Sequence, residues 1–220
     1  MLHGGFWAGG DKDELTIYAK HFQQKGFAVA NLNYRLTNTP DNNIHPAQVN
    51  DIRKAIDFIS LNSPDWNISS SKFALIGSSA GGHLALLYTY AYNDNNSVKA
   101  VASIAGPTNL TDTRNISNTQ LQVVSLLIGS RLDQNPSAYA AASPITHVNA
   151  SSKPTFLVHG KADAVVSHQQ AEDLKAKLDQ FNINNELLLF DNLGHENIIN
   201  TQNINTVLTQ IQEWLEQNIR

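Results

Sequence analysis

Apolar positions along the chain follow two alternating rhythms. Short unbroken apolar runs stand between stretches in which apolar residues return every three or four positions. The helical rhythm appears first at 11–25, where Leu15, Tyr18, Ala19 and Phe22 share a face and Gly26 ends the segment. Residues 27–34 (FAVANLNY) read as a strand. Pro46 then opens a helix through residue 62, with Val49, Ile52, Ile56 and Ile59 on one side. Residues 72–77 (KFALIG) form a strand of the buried kind, 80–92 an apolar helix and 98–105 a further strand. Later the same order returns: strands at 155–159 and 186–190, helices at 167–181 and 204–218.

This alternation predicts an α/β fold, a three-layer α/β/α sandwich around a mostly parallel central sheet. Residues 106–149 break the rhythm. They hold a helical piece near 121–127 among Asn, Ser and Pro residues, and read as a small cap-like insertion over the site. With no internal repeat or linker, residues 1–220 read as one domain.

Composition narrows the choice of function. A chain of 220 residues, 41% hydrophobic and 15% charged, suits one globular domain. A net charge of −4 without a basic run argues against nucleic acid or an anionic membrane as partner. The absence of cysteine excludes disulfides, thiolate metal sites and a cysteine nucleophile, and leaves either redox compartment open. No apolar run approaches the ~18 residues of a membrane span. No signal peptide is visible; the compartment stays open, with a cytoplasmic location favoured, since a truncated start would also remove such a signal. The Asn-x-Ser/Thr triplets at Asn67 and Asn149 read as chance matches in an Asn-rich chain.

The most informative segment is Gly77-Ser78-Ser79-Ala80-Gly81. It fits G-x-S-x-G and lies between an expected strand and an expected helix. A serine on so tight a turn projects its hydroxyl above the sheet, and the flanking glycines remove side chains that would collide there. The helix from Ala80 points its first amides toward developing negative charge. The segment lacks the Lys-Ser/Thr ending of a phosphate-binding loop. Ser79 is therefore the candidate nucleophile.

Serine needs a positioned base. His195 follows the last strand in the loop Asn192-Leu193-Gly194-His195-Glu196, on the rim where the carboxyl ends of parallel strands build sites. His159, at a strand end before Gly160, reads as a packed residue. The acid belongs between Ser79 and His195 in chain order. Asp163, directly after the strand at 155–159, is placed to accept a bond from one imidazole nitrogen, with Asp191 as its rival. His3-Gly4-Gly5-Phe6-Trp7 resembles a loop that turns backbone N–H groups toward an oxyanion. Gly5 and Phe6 are the candidate donors, with Ala80 as the third and His3 as a brace.

Taken together these pieces resemble the α/β-hydrolase superfamily, in its HGG-bearing esterase branch. That branch includes hormone-sensitive-lipase-like enzymes, the feruloyl-esterase-like BD-FAE group and kynurenine formamidases. The likeness is carried by HGGFW at 3–7, NYRL at 33–36, HPAQVND at 45–51, GSSAGG at 77–82, GPTNL at 106–110, SPITHV at 143–148, HGKADAVV at 159–166 and GHE at 194–196. HGGFW and SPITHV bring it nearest the BD-FAE group. The resemblance implies scaffold roles for Tyr34, Arg35 and Asp51, with Arg35 in ion pairs beneath the oxyanion loop. Asn109 stands where such proteins often carry Asp. The family fold also places strands before the HGG loop, the last of them between the nucleophile strand and the strand at 27–34. Only Met1 and Leu2 stand there, so two neighbouring strands are expected to lack partners; a truncated piece, a sheet that closes up differently and a strand lent by another chain are the alternatives, and truncation is the expected reason.

The function so implied is hydrolysis of small-molecule carboxylic esters through an acyl-enzyme, with no cofactor and no metal. The short insertion suggests small or moderate acyl groups. A formamidase-like amide hydrolase, a catalytically silent binding protein and, more remotely, a prolyl-oligopeptidase-type peptidase remain open at this point, as does the oligomeric state.

Overall fold

Four of the apolar runs lie side by side. In a computed structural model, which describes residues 1–37, 42–114, 116–198 and 204–219, β1 (Phe73–Ser78), β2 (Val98–Ile104), β3 (Thr155–Gly160) and β4 (Asn185–Phe190) form a parallel sheet in that order. Ser78 pairs with Ile104, Ile104 with Val158 and Gly160 with Phe190. The carboxyl ends of the strands therefore finish along one edge.

Alternation of side chains across the strands builds a layer on each face. On one face Leu75, Val101 and Leu157 meet α2 (Ala47–Asn62), α3 (Ala80–Leu87) and α6 (Gln169–Gln180) through Ile52, Leu84 and Leu174. On the other, Ile76, Ala102 and Phe156 meet α1 (Thr16–Gln24) and α7 (Ile204–Ile219) through Phe22, Ile211 and Trp214. Leu174 and Leu178 are fully covered, and each such leucine contributes about 1.5–3 kcal/mol. The result is the expected three-layer α/β arrangement.

The expected strand at 27–34 is corrected. Among the described residues it pairs only near one point, where Leu2 bridges Leu32 on one side and Gly77 on the other. Leu2 N–H donates to Ile76 O at 2.9 Å, Ser78 N–H to Leu2 O at 3.2 Å and Leu32 N–H to Met1 O at 3.0 Å. Met1 and Leu2 thus supply two residues of pairing where the sequence suggested none. Beyond them the edges part around a cavity of ≈ 480 Å³ lined by Phe27, Val29, Ile56, Phe73 and Leu75. The Met1 amino group also donates to Ala30 O at 2.6 Å, and among the described residues no ladder is formed along 27–29.

Smaller differences have local causes. The helix expected over 11–25 begins as a 3₁₀ turn, Lys12–Leu15, whose start is closed by a reciprocal cap between Asp11 and Glu14. The helix expected over 80–92 is α-helical to Leu87 and continues as a π turn, Tyr88–Tyr92. Segment 106–149 carries α4 (Asn118–Ile128), α5 (Pro136–Ala141) and a 3₁₀ turn, Pro144–His147. Leu127, Tyr139 and Ala142 pack into the same core as α2 and α3.

Candidate active site

The turn after β1 lies at the carboxyl edge of the sheet. Ser79 joins strand to helix with φ 52° and ψ −120°, a backbone that costs a non-glycine residue about 1–3 kcal/mol. Contact dictates the glycines around it. A Cβ on Gly77 would lie 2.2 Å from Gly81 O, and one on Gly81 2.3 Å from Leu2 O. Ser79 N–H donates to Ile104 O at 2.8 Å, which ties the turn to β2.

His195 sits beyond β4, just before a 3₁₀ turn, Glu196–Ile198. Its Nε2 lies 2.9 Å from Ser79 Oγ and its Nδ1 2.7 Å from Asp163 Oδ2. An ionised carboxylate accepts only, so Nδ1–H donates to Asp163 and Nε2 is left to accept from the Ser79 hydroxyl. The structure therefore brings Ser79, His195 and Asp163 into one hydrogen-bonded chain. The rival, Asp191, is exposed and pairs with Lys161 at 2.7 Å.

Asp163 is held from several sides. Its Oδ1 accepts from Val165 N–H and Val166 N–H, each at 2.8 Å. Its Oδ2 lies 3.2 Å from His159 Nε2, which also meets Val166 O at 2.9 Å. Burial pushes the carboxyl up, but bonds from His159, His195 and the backbone outweigh it and hold Asp163 well below the usual carboxylate range. His159, read from sequence as a packing residue, is buried and also orients the acid. The four-residue spacing of His159 and Asp163 across a post-strand turn is the signal that could have revealed it.

The loop over Ser79 is strained as well as close. Gly5 has φ 103°, Phe6 φ 55° and Trp7 φ 58°. A Cβ on Gly5 would lie 2.3 Å from Gly9 O. Among the described residues neither Gly5 N–H nor Phe6 N–H has a protein acceptor. Ala80 N–H, in the first turn of α3, has no intrahelical acceptor. His3 stacks on Tyr34 at 4.3 Å and donates from Nδ1 to Gly4 O at 2.7 Å, while Tyr34 OH donates to His3 O at 2.9 Å. Arg35 Nε pairs with Asp51 at 2.8 Å.

Sequence reasoning missed a link between this loop and α3. Trp7 Nε1–H donates to His83 Nδ1 at 3.1 Å, and His83 Nε2–H donates to Ala142 O at 2.8 Å. Burial lowers the His83 pKa to about 3, so the ring stays neutral and serves Trp7 as an acceptor.

A cavity of ≈ 50 Å³ opens beside Ser79, walled by Trp7, Leu110, Val124 and Val166, with Asn109, Asp112, Arg114, Gln120, Ser167 and Gln170 as polar lining. Among the described residues no group of three His, Asp or Glu side chains is arranged to hold a metal ion, and no helix is long and apolar enough to cross a membrane.

A parallel sheet between helical layers, with a strained serine on the turn from strand to helix, is the α/β-hydrolase arrangement. The chain belongs to the BD-FAE family, whose model matches residues 1–178. Esterase LipQ of Mycobacterium tuberculosis (strain ATCC 25618 / H37Rv) is 27% identical over 190 residues, 81% of this chain and 44% of that protein. Esterase LipC of the same organism is 25% identical over 193 residues, 81% of this chain and 47% of that protein. The chain thus spans less than half the length of these curated relatives. Among solved structures, a truncated carbohydrate esterase from gut microbiota is similar with a TM-score of 0.83 at 24% identity, over 98% of this chain and 84% of that one. A thermophilic esterase of Thermogutta terrifontis gives 0.82 at 18% identity, over 98% and 81%. These structural likenesses establish the fold.

Proposed function

We propose that the protein is a carboxylic ester hydrolase that works through an acyl-enzyme on Ser79. The observation that carries this reading is the unbroken chain from Ser79 Oγ through His195 to Asp163, at 2.9 and 2.7 Å. The names of the esterase relatives point the same way.

In this reading Ser79 Oγ attacks the ester carbonyl carbon while its proton passes to His195 Nε2. The imidazolium is stabilised by Asp163, which stays ionised because its carboxyl is held so low. The carbonyl oxygen becomes an oxyanion facing the free N–H groups of Gly5, Phe6 and Ala80, each such donor supplying ~10²–10³ in rate. His195 returns the proton to the departing alcohol. Water, activated by the same ring, then attacks the acyl-enzyme and releases the acid. The ≈ 50 Å³ cavity beside Ser79 favours short acyl groups. Hydrolysis of 4-nitrophenyl acetate and butyrate tests the reading. The wild-type chain turns both over and Ser79→Ala lowers kcat at least ~10³-fold; activity that survives the substitution overturns it.

A further inference from the structure

Two side-chain amides beside Ser79 are anchored by their oxygens. Gln170, near the start of α6, is only 8% exposed. Its Oε1 accepts from Thr108 N–H at 2.9 Å and from Asn109 N–H at 3.0 Å. Asn109 Oδ1 accepts from Thr111 N–H at 3.1 Å and from the Thr111 hydroxyl at 2.7 Å. A backbone N–H only donates, so these contacts decide which end of each amide is oxygen. The nitrogens are thereby turned away from the anchors.

Among the described residues neither Asn109 Nδ2 nor Gln170 Nε2 has a protein acceptor. Gln170 Nε2 is not sealed inside the protein, and the opening its side chain lines is the cavity that also contains Ser79. The two nearby carboxylates, Asp112 and Asp173, are engaged by Arg114. Gln120 is used at both ends, its Oε1 by Ser117 N–H and its Nε2 by Val165 O. What these side chains leave over for a ligand is hydrogen-bond donors.

We propose that Asn109 Nδ2 and Gln170 Nε2 form a substrate subsite that recognises an acceptor oxygen, as in an ether, hydroxyl or carbonyl group, on the part of the ester seated in this cavity. This rests on the ester-hydrolase reading above. A substrate with a methylene at that place leaves two partly desolvated donors unpaired, whereas one with an oxygen satisfies them.

The test uses ester pairs matched in shape. On the acyl side 4-nitrophenyl methoxyacetate is compared with 4-nitrophenyl butyrate, and on the alcohol side 2-methoxyethyl acetate with butyl acetate. Asn109→Asp and Gln170→Glu keep the anchored oxygen and exchange the donor for an acceptor. Comparing each pair across variants cancels the intrinsic reactivity of the ether esters. The expected result is a fall of about tenfold in the ether-to-methylene ratio of kcat/KM in both variants, on whichever side occupies the cavity. Ratios unchanged on both sides, in variants whose thermal melts show them folded, overturn the subsite. If one variant fails to fold, the other decides. Absence of Ser79-dependent hydrolysis of all four esters by the wild-type chain overturns the hydrolase reading instead.

Discussion

The two halves of the candidate site are held by different physics. Around Ser79 the loop at 3–10, the end of β1 and the start of α3 are fixed by backbone against backbone. Gly5, Gly77 and Gly81 each stand where a Cβ would come within 2.3 Å of a main-chain oxygen. Around His195 the loops after β3 and β4 are joined by backbone bonds from Lys161 N–H to Phe190 O at 2.8 Å and from Ala162 N–H to Leu193 O at 3.2 Å, but their acid and base are held by polar side chains. Asp163 gathers bonds from two backbone amides and two imidazoles. Gly160 brings the first device into this half, its Cβ position being 2.0 Å from Leu193 O, but the charged groups depend on hydrogen bonds. The first half should therefore be intolerant of added volume and the second of altered charge.

The strongest way to break this contrast is Gly81→Ala. One methyl group placed 2.3 Å from Leu2 O and 2.4 Å from His3 O forces main chain apart, at about 3 kcal/mol or more. Urea denaturation should show a collapsed midpoint or no folded protein; wild-type stability with full activity would show that the contact is not constraining. In the second half Asp163→Asn adds no volume and keeps an acceptor for Val165 and Val166. It should leave the fold intact and lower kcat by ~10⁴, because the amide no longer holds His195 in the required tautomer. A loss of less than tenfold would remove Asp163 from the proposed relay.

Acid sharpens the comparison. His83, in the first half, has its pKa lowered by burial from 6.5 to about 3. Between those values the unfolded chain binds a proton that the folded chain refuses, so stability falls as pH drops through this window. From pH 7 to pH 5 this one site costs about 2 kcal/mol. Asp163 acts with the same sign in a lower window: its lowered pKa contributes stability above pH 3.8 that is lost as the pH falls further. Denaturation of wild type and His83→Asn at both pH values should show the variant's pH dependence reduced by about that amount. Equal slopes would mean that His83 is not the acid-sensitive group. The smallest effect is expected at the strap between loop and helix. Trp7→Phe removes the bond to His83 Nδ1 and should lower kcat about tenfold with KM little changed, as expected for a group that positions the proposed oxyanion donors. A rise in KM at constant kcat would place Trp7 in substrate binding alone.

Much of this site was legible because its motifs are local. The glycines around Ser79 and the loops carrying Asp163 and His195 announce their turns in a few consecutive residues. The strands were legible for the same reason, as buried runs between helical patterns. What stayed hidden depends on distant partners. Trp7 and His83 are separated by 76 positions, and no periodicity connects them. His159 is the local exception: its partner Asp163 stands only four residues on, and that spacing across the turn separates it from a histidine that merely packs. The helix at Pro136–Ala141 was hidden among residues that usually mark loops, although Asn135 caps it and Pro136 opens it. The strand expected at 27–34 has suitable residues, but a strand is defined by its neighbours, and Met1 and Leu2 reach only to Leu32.

Labelling with a fluorophosphonate, followed by intact mass and peptide mapping, tests the central claim most directly. The reagent loses fluoride as a serine oxygen bonds to phosphorus, so it reports an activated hydroxyl without any assumption about substrate. The account predicts one adduct on Ser79, absent in Ser79→Ala and strongly slowed in His195→Ala. Folded wild-type protein that stays unlabelled, or that carries the adduct on another residue, would contradict it.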